Sequence, residues 1–232
     1  MIDQRVLNDA IGWDIPTWRR AFLHWERVLE SHPPANGLEL GAKLGGASLF
    51  LAHRFGTEMI CSDLGGPADG AAALHAQHGV SDLISYADAN AISLPYDDSS
   101  FDVVVFKSIL GSIAGVVGAE AMQTTMKEIR RVLRPGGTLL FAENLSATVG
   151  HQFLRRRIRT WGRGWHYLSL NELTVLLDRT FPSAVVKTTG FICVGVPERF
   201  GRLRASAGTV DGVLDRVLPM RARYLAFGHA RA

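Results

Sequence analysis

The run Gly37-Leu38-Glu39-Leu40-Gly41-Ala42-Lys43-Leu44-Gly45-Gly46, followed by an apolar helix-like segment and then Ile60-Cys61-Ser62-Asp63, constrains this chain more than any other stretch. A short apolar strand ends in glycines, a helix opens, and an acidic residue closes the next apolar strand about twenty residues after Glu39. Glycines let the backbone turn sharply and approach a ligand closely, while the helix N-terminus beyond them offers unpaired N–H groups. A carboxylate at Asp63 can then accept both ribose hydroxyls of a nucleotide-type cofactor. A strand-to-helix turn also uses glycine for packing alone, so the rest of the chain has to decide.

The pattern continues as strands alternating with helices. Trp18, Phe22, Trp25, Val28 and Leu29 fall at helical spacing and predict a helix that ends before Pro33-Pro34. Strand one is predicted over 38–40, a helix over 47–55, a second strand ending at Asp63, a helix over 71–78 and a third strand near 83–86. The near-continuous apolar run 101–106 reads as a central parallel strand buried on both faces. A helix over 118–133, a turn at Pro135-Gly136-Gly137 and a fifth strand over 138–142 follow. Ser146 to Thr160 reads as a helix or lid, and Ser169-Leu170-Asn171-Glu172 as the capped start of a helix running to Phe181. Final strands are expected at 185–189 and 192–196, and a helix near 210–218.

The fold class expected is α/β: a doubly wound, Rossmann-like, seven-stranded, mostly parallel sheet with helices on both faces. It divides into an N-terminal helical cap (1–36), a core (37–198) with a lid near 146–168, and a basic C-terminal extension (199–232). The 232 residues suit one such domain. Lys and Arg total 25 against 22 Asp and Glu, too small an excess for a nucleic-acid-binding composition, so an anionic partner needs a local cluster. Cys61 and Cys193, both in apolar runs, argue against a disulfide framework or a cysteine metal site. The N-terminus lacks a basic segment leading into a long apolar run, and no stretch is long enough to span a bilayer, which points to a cytoplasmic enzyme.

Further signals stand in order: Tyr86-Ala87-Asp88-Ala89-Asn90, then Leu94-Pro95-Tyr96-Asp97-Asp98 leading to Phe101-Asp102-Val103-Val104-Val105, then Glu128-Ile129-Arg130-Arg131-Val132-Leu133-Arg134-Pro135-Gly136-Gly137. At these residues the chain resembles a class I S-adenosylmethionine-dependent methyltransferase. Cys61 to Pro67, Val105-Phe106-Lys107-Ser108 and Phe141-Ala142-Glu143-Asn144-Leu145 resemble the branch associated with bacterial polysaccharide or glycan biosynthesis. The resemblance runs from Trp13 to about Glu198.

It implies S-adenosyl-L-methionine as cofactor, with Glu39 and Gly41 at its methionine end, Asp63 at the ribose, Asp88 with the Ala89 backbone at the adenine edge, and Gly45 and Leu64 also among the cofactor-binding residues. The family has glycine where this chain has Lys43, which either neutralises the cofactor's carboxylate or points to solvent. Lys107, ending the fourth strand, would contact substrate or the cofactor region. An acceptor hydroxyl needs a base, and Glu143, His151 and His166 are the candidates, although Glu143 also suits a helix cap and a lone histidine a structural role. No paired-histidine motif supports a metal.

Arg155, Arg156, Arg157, Arg159 and Arg163, interleaved with Trp161, Trp165 and Tyr167, form either a solvated face or a binding surface for a phosphate-bearing acceptor. The expected reaction is O-methylation of a sugar hydroxyl of a glycan or glycan precursor. The alternatives are a small-molecule natural-product methyltransferase and a non-catalytic cofactor-binding protein. Nucleic acid is disfavoured as a partner, and a homodimer is among the assemblies this reading allows.

Overall fold

In the strand β4 (Phe101–Lys107), Val103 and Val105 pack into one hydrophobic core while Val104 and Phe106 pack into another. Alternation along one strand sends successive side chains to opposite faces, so a run apolar at every position needs cover on both sides. The structure is a computed structural model that describes residues 3–158, 165–197 and 199–232, without the side chains of 154–158. The arginine run at 155–157, 159 and 163 and Trp161 therefore lie outside the described residues and side chains.

The sheet order is β3-β2-β1-β4-β5-β7-β6. The strands β1 (Asn36–Leu40), β2 (Glu58–Asp63), β3 (Ile84–Asp88), β4 and β5 (Leu133–Asn144) run parallel. β7 (Leu225–Arg231) lies antiparallel between β5 and β6 (Val185–Thr189). One face is covered by α1 (Gln4–Ile11), α2 (Ile15–Leu29) and α3 (Gly46–Phe55), whose Trp18, Phe22, Trp25 and Phe50 are buried. The other face carries α5 (Leu110–Val116), α6 (Ala119–Val132) and α8 (Leu170–Asp178), with Met126, Ile129, Leu173 and Phe181 in its core. α4 (Gly70–Gln77) links β2 to β3, and α7 (Val149–Ile158) follows β5. α8 opens with the capping box read from Ser169 and Glu172.

Three expectations need correction. Ile192–Val196 is not a strand: Cys193–Gly195 forms a 3-10 turn, because the buried Asp211 carboxylate accepts the Ile192 and Cys193 N–H groups that a ladder would have used. The seventh strand is β7, inside the segment read as a basic extension, which also supplies α9 (Gly201–Leu214) where a helix near 210–218 was expected. The expected helix over 118–133 is present as α6, and a separate α5, which the sequence did not mark, precedes it. The Pro135-Gly136-Gly137 turn is a register shift within β5, between the Phe101↔Leu133 and Val103↔Thr138 pairs.

The terminal segments lock together. Asp14, 2% exposed, accepts the Tyr224 hydroxyl at 2.7 Å and pairs with Arg204 at 2.9 Å, tying the α1–α2 corner to α9 and the start of β7.

Candidate functional site

The turn from β1 to α3 lies at the carboxyl end of the sheet, where ligands bind in open α/β folds. Gly41 has φ 63°, and a Cβ on it would overlap the Ile109 side chain, so both backbone and space require glycine. Lys43 has φ 53°, a left-handed conformation that strains any residue with a Cβ. That strain is the physical reason glycine suits this position, and the Lys43 side chain is exposed. Lys43→Gly is expected to raise stability by about 1 kcal/mol at most, seen as a higher urea midpoint. A lower midpoint would show that the side chain contributes more than the strain costs.

Asp63 is oriented by two backbone donors. Lys43 N donates to Oδ2 at 2.7 Å and Leu64 N to Oδ1 at 2.8 Å. Each carboxylate oxygen keeps a further lone pair for a ligand. One strand over, Asp88 accepts Gly65 N at 2.7 Å, and Ala89 N donates to the Asp63 carbonyl at 3.1 Å. These bonds hold the ends of β2 and β3 as one rigid edge.

Glu39 is 1% exposed and accepts Ala47 N at 3.1 Å and Ser48 N at 2.6 Å, so it caps α3 from the preceding strand. Burial raises its pKa, opposed by the nearby Lys107 ammonium. Lys107 is lowered by the same burial and supported by Glu39. Its Nζ donates to the Ala10 carbonyl at 3.0 Å, at the C-terminal end of α1, and stands 5.4 Å from the Phe22 ring centroid. Lys107 thus holds α1 against the sheet rather than reaching open space.

A cavity of about 320 Å³ opens beside this turn. Gly41, Asp63, Leu64 and Ala89 line it together, joined by Asn90, Ile92, Ser108, Ile109, Ser112, Ile113, Val116, Val117 and Trp165. Lys43, Gly45, Asp88, Glu39 and Lys107 support the turn and the strand ends without lining the cavity. The lining from α5 was missed, although Ile109, Ile113 and Val116 recur at helical spacing directly after β4. Trp165 rests on Gly111, where a Cβ would overlap the indole, and His166 N donates to the Gly111 carbonyl at 3.0 Å.

The three proton-handling candidates stand outside that lining. Glu143 is wholly buried and accepts Leu110 N at 2.9 Å, capping α5 much as Glu39 caps α3. Burial pushes its pKa up to about 8 against the backbone N–H groups of Leu110, Asn144, Gly111 and Ile109. Both ring nitrogens of His151 are engaged, Nδ1 with Thr148 Oγ1 and Nε2 with the Phe191 carbonyl, each at 2.7 Å. A carbonyl only accepts, so Nε2 carries the proton. His166 is exposed and lies 3.2 Å from Glu172. Among the described residues, no group of three or more His, Cys, Asp or Glu could hold a metal ion.

Residues 38–141 match a methyltransferase-domain family. A sarcosine/dimethylglycine N-methyltransferase of Halorhodospira halochloris is 29% identical over 116 residues, covering 50% of this chain and 39% of that protein. A ubiquinone/menaquinone biosynthesis C-methyltransferase of Shewanella frigidimarina is 26% identical over 156 residues, covering 65% and 57%. The match therefore spans less than two thirds of either relative. The phosphoethanolamine N-methyltransferase 2 of Haemonchus contortus, solved with S-adenosylhomocysteine, shares the fold with TM-score 0.64 at 17% identity, covering 96% of this chain and 56% of that one.

Proposed function

We propose that this chain, which carries a methyltransferase domain of the S-adenosylmethionine-dependent class, transfers a methyl group to a small organic acceptor with an apolar body. The observation that carries this reading is the cavity wall left once Asp63, Leu64, Ala89 and Asn90 are given to the donor: Ile92, Ile109, Ile113, Val116, Val117 and Trp165 outnumber the polar Ser108 and Ser112. A sugar, the acceptor expected from sequence, would set several hydroxyls against aliphatic groups that cannot hydrogen-bond them. Two buried, unpaired thiols, Cys61 and Cys193, support a reducing compartment such as the cytoplasm.

The donor fits the residues present. Gly41 leaves the space that a Cβ would fill beside Ile109, and Asp63 arrives oriented by two amides with acceptor capacity to spare. Asp63 would take the ribose hydroxyls, while Leu64, Ala89 and Asn90 would flank the adenine. The donor supplies its own electrophilic methyl and leaving group, so the chain's task is alignment and exclusion of water. Both Glu143 oxygens and both His151 nitrogens are bonded within the protein. That favours an acceptor atom that is nucleophilic without a protein base, such as a neutral amine.

The test is transfer from labelled donor to matched panels of apolar-bodied amines, carbon acids and phenols, and of free and nucleotide-linked sugars. Turnover confined to the first panels is the expected result. Transfer to sugars alone would overturn the apolar-acceptor reading and restore the glycan one.

A further inference from the structure

The helix α9 presents apolar side chains to solvent on one stripe. Leu203 and Val213 are each 60% exposed, Val210 lies between them, and Phe200 and Val217 extend the stripe at either end. The opposite side is buried through Arg204, Ala207, Gly208 and Asp211. Large aliphatic groups gathered on one exposed helix face mark a surface that another phase or molecule covers.

Charge indicates what covers it. Arg199, Arg202, Arg216 and Arg221 are all exposed around the stripe. The two acids between residues 199 and 221 are committed inward: Asp211 is buried on the amides of Ile192 and Cys193, and Asp215 pairs with Arg20. The face is therefore cationic and apolar together, with no exposed carboxylate among residues 199–221. Thr189, the end of β6, pairs with Leu225, the start of β7. Since β6 runs parallel to β5, the whole 190–224 excursion leaves and returns at the carboxyl end of the sheet, the end that carries the cavity.

We propose that α9 and the turn after it are a docking surface for an anionic lipid membrane, into whose interface Leu203, Val210 and Val213 dip while the four arginines meet lipid phosphates. The chain then lies on the membrane with the cavity end of its sheet toward the lipid. No helix among the described residues is long and apolar enough to cross a membrane, so the attachment is peripheral. This does not depend on which acceptor the cavity takes.

The test is co-sedimentation of the full chain with phosphatidylcholine vesicles and with vesicles that also contain phosphatidylglycerol. Binding to the anionic vesicles, weak binding to the neutral ones and loss of binding as salt rises are expected. Leu203→Ser with Val213→Ser, and separately Arg202→Gln with Arg216→Gln, should each lower partitioning about tenfold or more, with S-adenosylhomocysteine affinity and melting temperature unchanged. Absence of wild-type binding to anionic vesicles, or equal binding to both kinds, overturns the proposal whatever the variants do. Variants that partition like the wild type also overturn it. A dimer in sedimentation equilibrium that Val213→Ser dissociates would instead assign the face to a second copy of the chain.

Discussion

Replacing Asp63 with alanine is expected to weaken S-adenosylhomocysteine binding about a hundredfold or more. The carboxylate is held by Lys43 N and Leu64 N, so its remaining lone pairs are directed before any ligand arrives. Two hydrogen bonds from ribose hydroxyls to an ionised acceptor are worth roughly 3 kcal/mol together, and every 1.4 kcal/mol is about tenfold in affinity. The alanine variant also leaves two turn amides without their acceptor, which loosens the turn itself. Asp63→Asn keeps one oxygen acceptor and should fall between the two. Calorimetric titration of the three proteins measures this. An alanine variant that binds like the wild type would remove Asp63 from the cofactor site, and with it the placement of the donor in this cavity.

Glu143 offers the second large effect, on stability. Glu143→Ala strands the buried Leu110 amide at the start of α5 and opens a void, for a loss of about 3 kcal/mol. The pH dependence has a definite sign. The folded protein holds the Glu143 proton up to about pH 8, whereas the ordinary carboxyl releases it near 4.5. The unfolded chain therefore binds fewer protons between those values, and stability falls as pH rises through the window. Below it the contribution is complete, and above it the loss is constant. Glu143→Gln keeps the shape without the titration, so its stability relative to the wild type should climb from about pH 4.5 to 8. Urea midpoints that stay parallel across that range would show that Glu143 is ionised throughout.

The sequence made β1 to β4 legible because each is a short apolar run closed by a turn signal or an acid, and local chemistry suffices to mark such units. What escaped it depends on partners far along the chain. α5 contains Gly111 and Gly115 and has no local cap; its N-terminus is completed by Glu143, from a strand more distant in sequence. β7 went unmarked within the segment read as a basic extension, because Gly228 and His229 interrupt its apolar run, yet Gly228 is required where a Cβ would overlap the Val185 carbonyl. Ile192 to Val196 has the composition of a strand and becomes a turn through Asp211, on α9. The glycine turn after β1 and the acid closing β2 were legible for the same reason that β1 was: the turn's geometry is written in neighbouring residues. The roles expected of His151 and Glu143 depended on what their polar atoms touch, which spacing does not reveal.

The late position of β7 bears on how the chain is made. Among the described strands β6 pairs with β7 alone, and only β7 lies between β5 and β6. As the polypeptide leaves the ribosome, β1 to β5 can assemble, but residues 185–189 have no strand to join until 225–231 have emerged. During that interval the apolar edge of β5, Leu139-Leu140-Phe141-Ala142, is unsatisfied and open to pairing with any neighbouring nascent chain. A translational pause or premature stop between residues 190 and 224 would leave a species with its sheet unfinished, making that interval the period in which a holdase chaperone would matter most to this protein.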